Sequence, residues 1–220
     1  MDKGFVRDGS AAAQQRVAGG TVTALAVGPM DNNAYLIECT ETGARCLVDA
    51  AADADALLDL VGRGSGTPRL EAVVTTHLHA DHWQALDEVV RATRPTTHAG
   101  RPDVPGIPVP TDRLLDDGDD VIVGSLRVEV IHLVGHTPGS IALLLGEHTE
   151  SPLLITGDSL FPGGVGRTWS PQDFATLIDD VSVKVFDRLP DSTRVLPGHG
   201  DPTTLGAERP HLQEWRARGW

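Results

Sequence analysis

The stretch Glu71-Ala72-Val73-Val74-Thr75-Thr76-His77-Leu78-His79-Ala80-Asp81-His82 decides how the rest of the chain is read. It opens with four β-branched residues in a row, Val73 to Thr76, the composition of a pleated and largely buried strand. It closes with four side chains of metal-ligand type. His77 and His79 are two positions apart, so a continuing strand would point both to one side. Asp81 and His82 follow just past the strand end. Asp81-His82-Trp83-Gln84 also fits a capping box, with Asp81 as N-cap of a helix burying Trp83, Leu86, Val89 and Val90. Capping and ligation are compatible, because a carboxylate has several acceptor positions.

Composition narrows the function classes. The 220 residues fall within the range of one domain, read here as a single unit over 1–220 with residues 1–20 a loose arm. Hydrophobic content of 40% and charged content of 22% are those of a globular chain. A net charge of −13, with only Lys3 and Lys184 as lysines, argues against a nucleic-acid partner. No run approaches the roughly 20 apolar residues of a membrane span, and the N-terminus lacks an apolar signal region. The expectation is a cytoplasmic protein acting on a small molecule, with its oligomeric state open. Cys39 and Cys46 flank an apparent hairpin turn. A two-residue loop at Thr42-Gly43 would set them face to face, and a reducing compartment would keep them as thiols. Their spacing is not that of metal ligands.

Strand-like runs are expected at Thr21–Val27, Asn33–Cys39, Arg45–Asp49, Val121–Val123, Leu126–Val134, Ile141–Leu145, Leu153–Thr156 and Arg194–Leu196. A helix is expected over Asp55–Gly62. A second starts at Ser170 with Pro171 in its first position and an apolar face of Phe174, Leu177, Ile178, Val181, Val185 and Leu189. Residues 95–110, rich in proline and glycine, read as an irregular connection, 116–120 as a solvated acidic turn, and the tail holds one further helix. Two batches of strands, each followed by a helix, suit an α/β fold with two sheets face to face and helices outside, a four-layer sandwich, and composition alone does not select it over another α/β or α+β arrangement.

Three further ligand candidates each follow a strand and adjoin a glycine: His136 in Gly135-His136-Thr137-Pro138-Gly139-Ser140, Asp158 after Gly157, and His199 in Pro197-Gly198-His199-Gly200. Glycine permits the sharp turns and close backbone approach that expose a side chain at a strand end. His98, His132, His148 and His211 have no such setting and are read as non-ligands.

This His-x-His-x-Asp-His pattern, followed by a histidine, an aspartate and a histidine separated by 54, 22 and 41 positions, resembles the metallo-β-lactamase superfamily. The resemblance implies the αββα sandwich with a metal site at one edge. It implies that His77, His79 and His136 bind one metal, that Asp81, His82 and His199 bind a second, and that Asp158 bridges them. Asp49 matches an early aspartate near the site, while Trp83 and Gln84 replace glycines common after the first motif. The segment Gly157-Asp158-Ser159-Leu160-Phe161, continuing to Gly164-Val165-Gly166-Arg167, resembles the glyoxalase II subgroup, in which this loop gives a basic and an aromatic residue to the thiol cofactor. Arg167 and Trp169 hold those positions, and Trp83 joins them as a candidate substrate contact. Glyoxalase II also carries a helical C-terminal domain, whereas here 21 residues follow His199, which leaves the thiol part of the substrate open.

A donor set of histidine nitrogens and carboxylate oxygens without thiolate suits zinc, two ions of it, and accepts iron or manganese. A metal-bridged hydroxide, oriented by Asp81, attacking a thioester or other activated carbonyl ester is the expected chemistry. The alternatives are a mononuclear iron persulfide dioxygenase, which shares a segment similar to Gly164–Thr168, and a lactonase or phosphodiesterase of the same fold.

Overall fold

The computed structural model describes residues 13–64 and 69–219. Most of the expected N-terminal arm, residues 1–12, lies outside the described residues. In chain order the first half comprises β1 (Ala13–Val17), β2 (Gly20–Val27), β3 (Asn32–Cys39), β4 (Arg45–Val48), α1 (Ala54–Gly62), β5 (Ala72–Thr75), α2 (Leu86–Thr93), β6 (Thr96–Gly100) and β7 (Arg113–Leu115). The second half comprises β8 (Asp120–Val123), β9 (Leu126–His132), β10 (Ile141–Leu145), β11 (Leu153–Gly157), β12 (Leu160–Phe161), β13 (Gly164–Val165), α3 (Pro171–Asp180), β14 (Arg194–Pro197), β15 (Thr203–Thr204), α4 (Leu205–Glu208) and α5 (Leu212–Arg218).

One sheet runs β1-β2-β3-β4-β5-β6-β7 and the other β15-β14-β11-β10-β9-β8. β1 to β4 form an antiparallel meander. β4, β5 and β6 are parallel neighbours, so α1 and α2 serve as their crossovers. α3 plays the same part between the parallel strands β11 and β14.

Side-chain alternation then creates three apolar layers. Ile37, Cys46, Val48 and Val74 of the first sheet meet Val128, Val130, Leu143, Ile155 and Leu196 of the second. Residues one position along face outward: Leu36, Leu47 and Val73 pack on Leu57, Leu60, Val61, Leu86 and Val89. On the opposite side Ile131, Leu144, Leu154 and Val195 pack on Leu177, Ile178, Val185, Phe186 and Trp215. Central strands buried on both faces must be apolar along their whole length, which is why β5 and β10 show no polar alternation. The result is the four-layer αββα sandwich expected from the sequence.

Several local expectations are corrected. Part of the arm, Ala13–Val17, is an edge strand in a hairpin with β2. The proline-rich stretch holds β6 and a 3₁₀ turn, Arg101–Gly106, and is followed by β7. Pro95 precedes β6 and the other prolines sit in the turn and after it, so β6 donates its ladder bonds unhindered. The β3–β4 register pairs Ile37 with Cys46, so Cys46 does not face Cys39 and both thiols are free and buried. α3 gives way to a wider π-helical segment, Val181–Phe186, that carries the apolar face onward. The tail contains two short helices, α4 and α5. No helix of the described residues is long and apolar enough to cross a membrane.

Burial pushes the Cys46 thiol up to about 12. Thiol reagents act on the thiolate. Native protein treated with a maleimide at pH 7 to 9 should therefore show Cys46 unmodified by peptide mass spectrometry, and modification should appear on unfolding.

Candidate metal centre

The ends of β3, β4, β5, β9, β11 and β14 converge at one edge of the sandwich, where Asp49 follows β4. β3 begins there, and β5, β9, β11 and β14 run into loops there. The β14 loop is clamped to the first sheet: Asn33 N donates to Gly198 O, the Asn33 amide to the Pro197 and Gly200 carbonyls, and Tyr35 OH to Pro197 O at 2.6 Å. Gly198 is required by close approach, because a Cβ there would lie 2.2 Å from Asp158 Oδ1 and 2.7 Å from His82 Cε1.

β5 stops at Thr75, so His77 and His79 are placed by a bend, not by a continuing strand. Asp81 and His82 lie in a 3₁₀ turn, Ala80–His82. Asp81 caps no helix: α2 begins only at Leu86, and the Asp81 carboxylate instead accepts from the Asn32 amide at 3.0 Å. Gln84 makes its backbone bond to Ala51 O.

The structure brings all seven candidate ligands together. His77, His79 and His136 offer nitrogens within 4.8 Å of one another, as do the donor atoms of Asp81, His82 and His199, and those of His77, His82 and Asp158. Asp158 lies between the two triads. Its Oδ1 is 3.5 Å from His82 Nε2, and its Oδ2 is 3.6 Å from His199 Nε2 and 3.8 Å from His136 Nε2.

Hydrogen bonds on the far side of each ring decide which nitrogen carries the proton. His82 Nδ1 donates to Asp49 Oδ2 at 2.8 Å, because a carboxylate can only accept. His136 Nδ1 donates to Arg167 O at 2.7 Å and His199 Nδ1 to Met30 O at 3.1 Å. Thr76 Oγ1 gives its proton to Asp49 Oδ2, so it accepts from His77 Nδ1 at 3.0 Å. Four Nε2 lone pairs are thus turned into one space. His82 Nε2 is 3.3 Å from His199 Nε2, and His136 Nε2 is 2.9 Å from His79 Nδ1. Each such contact needs a proton or a cation between its two nitrogens. His77 Nε2 and Asp158 Oδ1 are buried and make no hydrogen bond within the protein. Converging lone pairs and two orphaned buried donor atoms fit divalent metal ions, and nitrogen with oxygen donors suits zinc, iron or manganese.

The electrostatics agree. Burial, reinforced by neighbouring histidines, holds His77 well below the usual imidazole range, and burial also lowers His136. Both are therefore neutral, as ligation demands. Burial would raise Asp81 and Asp158, but Asn32 and His82 for the first, and His82, His199 and His136 for the second, keep them below the ordinary carboxylate value. Burial also opposes charge on His82, yet Asp49 and Asp158 outweigh it and raise His82 to about 10.

At the rim, the Arg167 guanidinium lies 4.6 Å from the Trp169 ring centroid, and Trp169, 64% exposed, stands 6.4 Å from His79. Trp83 turns its Nε1 to Leu78 O at 2.8 Å and packs toward the α1–α2 layer, so its nitrogen supports the ligand loop from behind. Asn32, Thr76 and the Met30 carbonyl were not singled out from sequence. The Asn32-Asn33 pair at a strand start was the one visible signal, since asparagine there interrupts an otherwise apolar strand.

A sequence profile described as Metallo-beta-lactamase superfamily matches residues 27–199. The hydroxyacylglutathione hydrolase of Fuscovulum blasticum is 34% identical over 171 residues, covering 77% of this chain and 62% of that protein. This chain therefore spans less than two thirds of that relative. The probable metallo-hydrolase YqgX of Bacillus subtilis is 30% identical over 202 residues, covering 83% of this chain and 92% of that protein. Among solved structures, TTHA1623 in a di-iron-bound form superposes with a TM-score of 0.68 at 32% identity, covering 84% of this chain and 96% of the other.

Two outcomes test the centre. Replacing Asp49 with alanine removes the acceptor that orients His82, and metal retained after dialysis should show an affinity about 10–100-fold weaker. The proton that Asp49 and Asp158 hold on His82 up to about pH 10 must leave when Nε2 takes a metal. Metal uptake by stripped protein at pH 7.5 should accordingly release protons, seen as a calorimetric enthalpy that scales with the buffer's ionisation enthalpy.

Proposed function

Because the chain belongs to the metallo-beta-lactamase superfamily, we propose that it is a metal-dependent hydrolase acting on a thioester or another activated carbonyl ester. The observation that carries this reading is Asp158, whose carboxylate stands within 4 Å of ligand histidines from both triads, with Oδ1 beside His82 and Oδ2 beside His199 and His136. A carboxylate so placed can hold two cations at once, the arrangement of dinuclear hydrolases. The similarity to a hydroxyacylglutathione hydrolase points to a thioester, and the Asp158–Arg167 loop that resembles that subgroup points the same way.

His77, His79 and His136 would hold one metal, and Asp81, His82 and His199 the other, with Asp158 shared between them. Bound there, zinc supplies Lewis acidity to a substrate carbonyl and acidifies water toward neutrality. The chain's own groups supply the rest. Asp81 stays ionised at neutral pH because its pKa is lowered, and it can accept the O–H of an attacking water and aim it. The Asn32 amide donates to Asp81 Oδ2, the oxygen that faces His199 Nε2 at 3.2 Å, and so fixes the carboxylate's orientation. Arg167 and Trp169 line the rim where the leaving thiol would rest, one offering charge and the other an aromatic face. Ser159 is buried and no imidazole is hydrogen-bonded to its hydroxyl, so it has no base to make it a nucleophile.

A second reading keeps iron. A 32% identical structure holds two iron ions, and Gly164–Thr168 resembles the dioxygenase segment. The readings separate in one assay set: metal quantification on purified protein, then hydrolysis of a thioester, lactone and phosphodiester panel, with oxygen uptake on a thiol persulfide. The expected result is zinc with thioester turnover and no oxygen uptake. Iron with persulfide-dependent oxygen uptake would replace the hydrolase. Asp158→Ala should reduce turnover to the detection limit, and unchanged turnover would refute the site.

A further inference from the structure

Asp103 is fully buried and is not itself near enough to serve as a ligand. It stands in the 3₁₀ turn Arg101–Gly106, the stretch that sequence alone reads as an irregular connection. Its carboxylate takes three donors. Oδ2 accepts from Leu78 N at 2.9 Å and from Thr137 Oγ1 at 2.5 Å, and Oδ1 accepts from Gly139 N at 2.6 Å. Leu78 is the residue between His77 and His79. Thr137 is the residue after His136. One carboxylate therefore holds the chain immediately beside each of the three ligands of one triad.

The surroundings show that this contact is built in. A Cβ on Gly139 would lie 2.5 Å from Asp103 N and 2.8 Å from its Cβ, so only glycine admits the aspartate here. Thr137 Oγ1 also lies 2.5 Å from Ser140 Oγ, and Ser140 Oγ accepts from Thr137 N. This leaves Thr137 Oγ1 free to donate to Asp103 and fixes its rotamer. The other triad is held by different groups: His82 by Asp49, Asp81 by Asn32 and His199 by Met30 O.

We propose that Asp103 is a positioning residue that sets the geometry of the His77–His79–His136 metal position and leaves the Asp81–His82–His199 position to its own supports. This rests on the metal-centre reading above. The chemical logic is that of a shared anchor. The β5 loop and the β9 loop come from different sheets, so their relative placement is not fixed by either ladder. A buried carboxylate can satisfy donors from both at once, which a neutral side chain of the same shape cannot. In Asp103→Asn one oxygen becomes an NH2 that confronts the N–H of Gly139 or the donors of Leu78 and Thr137. Loss of a supporting group of this kind lowers metal affinity by about 10–100-fold.

The test is a Co(II) titration of metal-stripped protein followed by its visible absorption spectrum. Wild type should fill two positions. Asp103→Asn should weaken one of them by about 10–100-fold and alter its absorption bands while the other keeps its affinity. Thr137→Val, which removes a single donor, should show a smaller shift of the same position, and it serves if Asp103→Asn does not fold. Leu189→Ala, a core change in the α3 layer, is the control for lost stability. It should lower Tm and leave both cobalt affinities in place. Equal weakening of both positions, or a lowered Tm with both affinities kept in Asp103→Asn and Thr137→Val, overturns the role assigned to Asp103. Wild-type protein that takes up no cobalt overturns the metal-centre reading and this inference with it.

Discussion

The buried Asp49 carboxylate is the contact on which the metal-ligand edge depends. It sits at the end of β4 with a left-handed backbone, φ 57°, and is 1% exposed. Its Oδ1 accepts from Thr76 N, and its Oδ2 from Thr76 Oγ1 and His82 Nδ1. Thr76 then takes the Nδ1 proton of His77. A chain of hydrogen bonds thus runs from the end of one strand through the neighbouring strand to two ligand imidazoles and fixes both tautomers. A carboxylate this deeply buried is stable only with its lone pairs occupied. The same requirement that makes Asp49 costly when unpartnered makes the ring orientations unambiguous when it is satisfied.

The sandwich was legible because its strands carry their instructions locally. Val73-Val74 and Ile141 to Leu145 are apolar on both faces, and each sheet's outer residues match an amphipathic helix. The seven ligand-type residues were legible because they sit beside glycines or in one dense motif at strand ends. What could not be read was anything set by partners distant in sequence. Asp81 has the local signature of a helix cap, yet Asn32, 49 positions away, takes its carboxylate. β6 hides among prolines because its pairing comes from β5 and β7. The Cys39–Cys46 register turned on a loop length that composition does not determine. Asp103 gave no local sign at all, since its donors lie 25 to 36 positions away.

The two halves of the centre come from different sheets. His77, His79, Asp81 and His82 follow β5 of the first sheet. His136, Asp158 and His199 follow β9, β11 and β14 of the second. Neither sheet's backbone ladder fixes the distance between these groups. Among the bridges that do so are the Asn33 and Tyr35 bonds to the 197–200 loop, the His199 bond to Met30 O, the Ile141 N bond to Thr76 O, the Asp103 carboxylate and the apolar layer between the sheets. The apolar layer is non-directional and sets only the spacing. The polar bridges are directional and set the register of one sheet's loops on the other. That division of labour explains why buried polar groups, usually a cost, concentrate at this one edge.

A metal pair held across the sheets would act as a further bridge. Anything that binds the folded chain and not the unfolded one stabilises it in proportion to the logarithm of its free concentration over its dissociation constant. Here that stabilisation would fall on the contact between the sheets, because each triad draws on both of them. The triad of His77 and His79 needs His136, and that of Asp81 and His82 needs His199. Folding of the sandwich and assembly of the centre are then the same event seen from two sides. The layers bring the donor atoms of both sheets together, and a cation bound among them would hold the two sheets to each other.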